Sequence, residues 1–155
     1  MSNMKIGDLA KNTNCPVETI RYYEHEGLLT EPARSDGNYR LYGDEHVDRL
    51  RFIRHCRSLD MTLDEIRLLL KFKDAPEKTC GEVNALLDEH IGHVADRVAE
   101  LKTLEKHLKE LRSLCRTVQT AKDCAILKSL ASGDAKSGRD PRHRQRNRHL
   151  KLHSE

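Results

Sequence analysis

The stretch IGDLAKNTNCPVETIRYYEHEGLL, residues 6–29, decides the fold. Its apolar residues predict a first helix over residues 6–12, and Pro16, which suits a first helical position, predicts a second helix that Gly27 ends. Only a short polar break separates the two helices. Two short helices this close have the dimensions of a helix-turn-helix, whose second helix carries Arg21, Tyr22 and Tyr23.

The residues that follow predict a wing and two further helices. EPARSDGNYRLY, residues 31–42, combines a proline, an Asp-Gly-Asn turn signal and alternating residue types, which is the pattern of a β-hairpin. Asp44 is a favourable N-cap for a third helix that runs to about Leu59, and Thr62 with Glu65 forms a capping box for a fourth. The inward face of the third helix is expected to carry Val47, Leu50, Phe52, Ile53 and Cys56, while Arg49, Arg51 and Arg54 are expected to be solvated.

A long helix is predicted over residues 82–118, where no proline occurs and leucine, isoleucine and valine recur at intervals of three and four residues. That spacing is the seam of a coiled coil. The predicted fold is therefore mainly α, with five segments: a winged helix-turn-helix domain (1–73), a connector (74–81), the long helix (82–118), a loop with a short helix (119–131) and an Arg/His-rich tail (132–155) too polar to order itself.

Composition limits the classes of function. The net charge of +3 arises in the tail, because residues 132–155 carry 7 Lys/Arg against 3 Asp/Glu, whereas residues 1–73 carry 12 of each. A nucleic-acid function must therefore depend on individual arginines and tyrosines rather than on bulk charge. No apolar run approaches the ~18 residues that span a bilayer, and no secretory signal is evident, so we expect a cytoplasmic protein without a membrane partner.

Five cysteines without an export signal make a disulfide framework improbable and leave reduced thiols, a metal site or small core residues. If one helix spans residues 80–115, Cys80 and Cys115 of one chain lie roughly 50 Å apart and cannot share an ion. Antiparallel pairing of two chains, centred near residues 97 and 98, would set Cys80 of one subunit opposite Cys115 of the other. Cys124 could fold back beside Cys115 through a short loop. The prediction is a homodimer with two such sites.

Three thiolates without an evident fourth ligand favour soft ions, with cadmium, lead and mercury as the leading candidates, because structural zinc usually takes four ligands. His90 and His93, one helical turn apart, could supply a fourth position or a supporting contact. The tail histidines His143, His149 and His153 could form an accessory metal site or contact DNA. On residues alone, a cysteine in a coiled coil is usually a small apolar residue, and the metal site stays open beside that interpretation. Cys15 and Cys56 are expected to be structural.

Residues 6–29, followed by RSDGNYRLY and FIRHCRSLDMTLDEI, resemble the MerR family of transcriptional regulators. With CGEVNALLDEHI, Cys115 and Cys124, the resemblance reaches about residue 131 and is greatest to the cadmium- and lead-responsive branch (CadR and PbrR). It implies a homodimer on a palindromic operator in double-stranded promoter DNA, which activates RNA polymerase at a long-spacer promoter by distorting the DNA when Cd(II) or Pb(II) binds Cys80, Cys115 and Cys124. The DNA-contacting set it implies is Arg21, Tyr22, Tyr23, Asn38, Tyr39, Arg40 and Tyr42.

Other functions fit less well or stay open. The same fold could sense Hg(II) or Zn(II), and a metal-sequestering protein would bind the ion without binding an operator. A drug-sized effector is disfavoured because few residues of possible structure follow Cys124. An enzyme is not expected, since the chain has no CxxC motif and no Gly-rich phosphate loop.

Overall fold

The computed structural model describes residues 3–133 and is mainly helical, as predicted. Its elements in chain order are α1 (Ile6–Thr13), α2 (Val17–His25), β1 (Ala33–Arg34), β2 (Arg40–Leu41), α3 (Asp44–Ser58), α4 (Leu63–Lys73), α5 (Gly81–Ser113), a 3-10 turn (Ala121–Asp123) and α6 (Ala125–Ser132). The chain forms two compact units, of which the first ends at Val94 and the second begins at Ala95. Within the described part, no helix is long and apolar enough to cross a membrane.

The first unit is built around one hydrophobic core, to which α1, α2, α3 and α4 each contribute an apolar face. Its largest fully buried side chains are those of Leu9, Ile20, Leu28, Tyr42, Leu50, Ile53, Ile66 and Leu70. The predicted inward face of the third helix is confirmed: Val47, Leu50, Ile53 and Cys56 are buried, and Phe52 packs against them from a partly buried position. The first unit thus holds its short helices by apolar burial, the dominant favourable contribution to folding.

Local backbone chemistry sets the ends of α2, the second helix of the helix-turn-helix and the expected recognition helix. Pro16 occupies the N-cap position, where its missing N–H costs no hydrogen bond. Gly27 adopts φ +72° and donates to the carbonyl of Glu24, while Leu28 donates to the carbonyl of Tyr23. These two bonds are the Schellman pattern, which requires a left-handed residue and therefore favours glycine. The sequence prediction that Gly27 ends this helix is confirmed.

The wing is a two-stranded antiparallel hairpin in which Ala33 pairs with Leu41 and Arg34 with Arg40. Asn38 sits in its turn at φ 61°, a left-handed conformation that asparagine tolerates better than most residues. The Arg34 guanidinium donates to the Asn38 side-chain oxygen at 3.1 Å, which holds the turn closed. The sequence predicted this hairpin from its turn signal.

The helices after the wing begin differently from one another. Thr62 and Glu65 form the predicted capping box: the Glu65 N–H donates to Thr62 Oγ1 at 3.2 Å, and the Thr62 N–H donates to Glu65 Oε2 at 2.7 Å. Asp44, predicted to be the N-cap of α3, is instead its first helical residue. Gly43 takes the cap position, because its N–H is satisfied by His46 Nδ1 at 3.0 Å.

Replacing Thr62 by Ala is expected to destabilise the first unit by about 1 kcal/mol, because the Glu65 N–H loses its acceptor at the start of α4. Urea denaturation at a fixed protein concentration measures this loss as a lower free energy of unfolding. Thr62→Ser, which keeps the hydroxyl, serves as the matched control and should retain most of the stability. Equal losses in the two variants would show that the hydroxyl contributes nothing.

Arginines of α3 and α4 make hydrogen bonds between elements of the first unit. Arg51 and Arg54 of α3 are exposed, as expected, whereas Arg49 is partly buried. Arg49 donates to the Leu28 carbonyl at 2.6 Å and to both carboxylate oxygens of Asp74 at 2.9 Å. Arg54 donates to the Thr13 carbonyl and Arg51 to the Asn12 side chain. On α4, Arg67 donates to the backbone carbonyl of Glu26 at 3.0 Å and to its carboxylate at 2.7 Å, so α4 holds the C-terminal end of α2.

The long helix α5 is continuous over 33 residues. It ends at Ser113, five residues before the predicted limit at Val118. The chain tightens there, with the Leu114 N–H bonded to the Leu111 carbonyl at 3.2 Å and the Cys115 N–H to the Arg112 carbonyl at 3.3 Å. The residues that follow, RTVQT, are rich in β-branched side chains, which are poor helix formers.

Candidate DNA-binding surface and metal centre

The predicted DNA-contacting residues do not all lie on the surface. Arg21 on α2 and Asn38, Tyr39 and Arg40 on the wing are exposed, with Tyr39 accessible over 64% of its surface. Tyr22 is partly buried. These residues supply guanidinium groups for phosphate or guanine and an exposed aromatic ring beside them.

Tyr23 and Tyr42 are core residues and leave the predicted DNA-contacting set. Tyr23 is 7% exposed, and its ring centroid lies 5.9 Å from that of Tyr22. Tyr42 is 0% exposed, and its hydroxyl donates to the Glu24 carboxylate within the unit. Tyr42 has no exposed surface and Tyr23 very little, so neither side chain is placed to contact a phosphate.

Lys5 and Arg34 were missed by the sequence reasoning and belong to the same face. The Lys5 ammonium lies 5.4 Å from the ring centroid of Tyr39, and Arg34 pairs across the hairpin with Arg40. The hairpin register is the signal that could have found Arg34. No local pattern connects Lys5 with a residue 34 positions later.

Cys80 lies at the entrance to the long helix. It immediately precedes α5, its carbonyl accepts the Asn84 N–H at 3.0 Å, and its side chain is exposed. All five cysteines of the chain are free thiols. Cys80 is therefore available to a ligand from outside its own unit.

Cys115 and Cys124 belong to the second unit. Cys115 follows the end of α5, where its carbonyl accepts a 2.8 Å hydrogen bond from Arg112 and its thiol lies 3.5 Å from the Thr117 carbonyl oxygen. Cys124 lies between the 3-10 turn and α6, and its carbonyl accepts the Lys128 N–H at 3.1 Å. Both side chains are partly exposed, in contrast to Cys15 and Cys56, which are buried in the core of the first unit. Burial raises the pKa of those two thiols and makes them unreactive.

A second cluster of potential metal ligands lies within the first unit. One ligand atom from each of Glu65, His90 and His93 falls within 4.8 Å of the other two. His90, 9% exposed, places Nδ1 3.2 Å from Glu65 Oε1 and Nε2 2.8 Å from the Leu59 carbonyl oxygen. Both histidines were predicted from their spacing on one helix. Glu65 was not, because it lies 25 residues away from His90 on another helix.

The protonation of this cluster follows from its contacts. The hydrogen bond to the Leu59 carbonyl raises the pKa of His90, with a further contribution from the Glu65 carboxylate and against the effect of burial. Burial alone would raise the pKa of Glu65, but the Thr62 N–H and His90 outweigh it and lower that pKa. Both shifts in pKa favour the charged forms of the two groups, a protonated His90 imidazole and an ionised Glu65 carboxylate.

The tail histidines His143, His149 and His153 lie outside the described residues.

A winged helix-turn-helix joined to a long helix with an apolar face defines a class of DNA-binding regulator. Residues 4–73 match the model of the MerR HTH family regulatory proteins, and residues 47–111 match a second family model, described as MerR, DNA binding. The chain belongs to the MerR family, a family of DNA-binding transcriptional regulators rather than of enzymes.

Three similar proteins illustrate the relationship. The chain is 49% identical to the HTH-type transcriptional regulator ZntR homolog of Haemophilus influenzae, over 77% of this chain and 87% of that one. It is 56% identical to the transcription regulator PbrR691 from Ralstonia metallidurans CH34, solved with lead(II), at a TM-score of 0.73 and over 82% and 98% of the two chains. MerR from Bacillus megaterium MB1, solved with mercury(II), is 30% identical at a TM-score of 0.65, over 83% and 99%.

Proposed function

We propose that this chain is a homodimeric transcriptional activator whose effector is Cd(II) or Pb(II), bound by Cys80 of one subunit and Cys115 and Cys124 of the other. The observation that carries the proposal is the continuous α5, which begins directly after Cys80 and ends two residues before Cys115. A helix of 33 residues is about 50 Å long, so its two ends cannot hold one ion. Antiparallel pairing of two copies of α5 about its midpoint, near Val98, brings the start of the helix in one subunit to the end of the helix in the other.

The apolar seam of α5 supports that pairing. Its side chains are exposed in the single chain although they are large and aliphatic: Leu87, Ile91, Val94, Val98, Leu101 and Leu108. A continuous apolar row of this kind marks an interaction surface. Its intervals of three and four residues fit knobs-into-holes packing against a second copy of the same helix.

The choice of ion rests on the ligand set. Three thiolates suit soft ions, and the sequence between Cys115 and Cys124, RTVQTAKD, offers one carboxylate and no imidazole. The similarity to lead-bound PbrR691, at 56% identity, favours this assignment. Hg(II) and Zn(II) are the alternatives, and the similarity to the mercury-bound MerR and to the ZntR homolog keeps them in the test.

The effect of metal binding on transcription would require contact between the protein and promoter DNA. Arg21, Asn38, Tyr39 and Arg40 face outward and form the proposed DNA surface, with Lys5 and Arg34 beside them. The even balance of charge over residues 1–73 fits a protein whose specificity arises largely from DNA deformability rather than from bulk electrostatics. We expect metal binding to distort the bound operator so that RNA polymerase can use a long-spacer promoter.

Transcription in vitro with purified polymerase and a long-spacer promoter tests the function. Cadmium, lead, mercury and zinc are titrated separately. We expect cadmium or lead to activate transcription at a lower concentration than mercury or zinc does. Activation by mercury or zinc alone would overturn the ion assignment but not the function. Tight metal binding without an operator footprint would instead identify a metal-sequestering protein.

A second, accessory metal site is favoured by the cluster of Glu65, His90 and His93. Two atoms that are each about 2.1 Å from a tetrahedral ion lie about 3.4 Å apart, close to the 3.2 Å between His90 Nδ1 and Glu65 Oε1. The Leu59 carbonyl would keep its bond from His90 Nε2, which is the supporting contact that metal-bound histidines usually have. Mixed nitrogen and oxygen ligands suit Zn(II) or Cd(II) better than Pb(II) or Hg(II).

The full chain with Cys80, Cys115 and Cys124 all changed to Ser isolates this accessory site. It should still bind about one cadmium ion per subunit in a competition titration, and His93→Ala should remove that binding. His107→Ala, which changes an exposed α5 histidine outside the cluster, is the matched control. Replacing His143, His149 and His153 together by Ala tests the predicted tail contribution. If the serine variant binds no cadmium, the accessory site does not exist.

A further inference from the structure

Tyr42 connects three parts of the first unit. It exchanges two backbone hydrogen bonds with Met4, both 2.9 Å long, which pair the N-terminal segment with the wing. Its ring contacts His46 edge to face, with the centroids 5.3 Å apart. Its hydroxyl crosses to the recognition helix and donates to the Glu24 carboxylate.

Glu24 is an acidic residue next to a basic residue of the proposed DNA surface. It lies three residues after Arg21, and residues three apart are neighbours on a helix surface. Arg21 and Arg40 are both near enough to the Tyr42 hydroxyl to lower its pKa, although burial and the bond to Glu24 raise that pKa overall. The Glu24 carboxylate therefore neighbours Arg21 on the helix surface and is bonded to a hydroxyl on which the charge of Arg40 also acts, so a free negative charge here would repel phosphate from the proposed DNA surface.

We propose that Tyr42 is a positioning residue that holds the Glu24 carboxylate back against the core, so that Arg21 and Arg40 remain available to the phosphate backbone. The fixed ring of Tyr42 permits this, because it is wholly buried and held by the paired backbone of Met4. Without the hydroxyl, the partly exposed Glu24 is free to turn toward Arg21. Its charge then cancels one positive charge on the DNA-binding face.

The charge of Glu24 separates this role from simple packing. Tyr42→Phe keeps the ring and removes only the donor, so Glu24 is released with its charge. Glu24→Gln keeps an acceptor for the hydroxyl and removes the charge. In the double variant the side chain is released but carries no charge, so the proposal expects operator affinity to return.

The experiment measures binding of the full metal-free dimer to a duplex that the wild-type protein has selected from a random-sequence pool, over a range of salt concentrations. Tyr42→Phe should bind about fivefold more weakly at 0.1 M salt. The slope of its log affinity against log salt concentration should correspond to about one fewer counterion released on binding. Glu24→Gln and the double variant should both lie within about twofold of wild type. A merely structural tyrosine would not change the salt slope.

Two results would overturn the proposal: wild-type affinity in Tyr42→Phe, or a double variant as weak as Tyr42→Phe. Thermal melting of each variant ensures that folded proteins are compared. The inference rests on the proposed DNA surface, which Arg40→Ala tests separately. If Arg40→Ala binds like wild type, the DNA surface itself is wrong, whereas a weak Arg40→Ala beside an unaffected Tyr42→Phe refutes only the role of Tyr42.

Discussion

A mixed dimer that pairs a Cys80→Ser chain with a Cys115→Ser chain is expected to retain one intact metal site, whereas each variant alone should retain none. In the proposed antiparallel arrangement the two substitutions fall in the same site, so the opposite site keeps all three of its thiolates. The homodimers should lose more than about a hundredfold in cadmium affinity and should not activate transcription. Cadmium titration of purified, differently tagged heterodimers that also carry His93→Ala, which removes the proposed accessory site, gives the stoichiometry of the cysteine sites.

Cys56→Ala is the matched control for thiol number, because it removes a buried cysteine of the core. It should bind two cadmium ions per dimer through the cysteine sites, like wild type. A mixed dimer with no intact site would show that Cys80 and Cys115 of the same chain belong to one site. The subunit-sharing arrangement would then be wrong, even if all three cysteines are ligands.

Arg21→Ala is expected to weaken operator binding by about 1–3 kcal/mol, the range for an arginine that binds a guanine edge. Arg21 is exposed on the recognition helix and has space for such a contact. Fluorescence anisotropy on the selected operator and on unrelated duplexes distinguishes a contact with a base from a contact with phosphate. A loss confined to the operator indicates a base contact, while an equal loss on all duplexes, with a shallower salt dependence, indicates phosphate.

Arg97→Ala provides the matched arginine control, since Arg97 lies on α5 and has only a 3.8 Å contact with Glu100. It should leave operator binding unchanged. If Arg21→Ala binds as tightly as Arg97→Ala, the recognition helix has been misidentified.

Local signals predicted most of the fold because they act over a few residues. Gly27 ends α2 and the Thr62 capping box begins α4, as the sequence indicates, while Pro16, predicted to be the first helical residue of α2, is its N-cap residue. Asp44 was misplaced by one residue because the ring of His46, three positions on, satisfies the cap backbone instead. A residue preference alone does not show which side chain reaches that N–H.

Predictions about sites were weaker where burial or distant contacts decide the outcome. The family resemblance placed Tyr42 in the DNA-contacting set, yet its side chain belongs to the hydrophobic core and is wholly buried. Of the α3 arginines expected to be solvated, Arg51 and Arg54 are exposed, whereas Arg49 is partly buried and binds Leu28 and Asp74, which lie 21 and 25 residues away in sequence. The prediction that two subunits share each cysteine site depended on helix length, and the structure bounds that helix between Cys80 and Cys115. The metal role of the three cysteines came from the family resemblance and stays a prediction.

The polar contacts of α4 determine which helices of the first unit must shift together. Arg67 of α4 donates a hydrogen bond to the end of α2. His90 of α5 hydrogen-bonds to Glu65 of α4 and to the carbonyl of Leu59, at the end of α3. Hydrogen bonds of this kind are directional and resist sliding, unlike apolar side chains that can repack. We therefore expect that a tilt of the first turns of α5 moves α4 and, through it, rotates α2. In the proposed DNA complex, we expect the angle between α2 and the bound duplex to change with the tilt of α5.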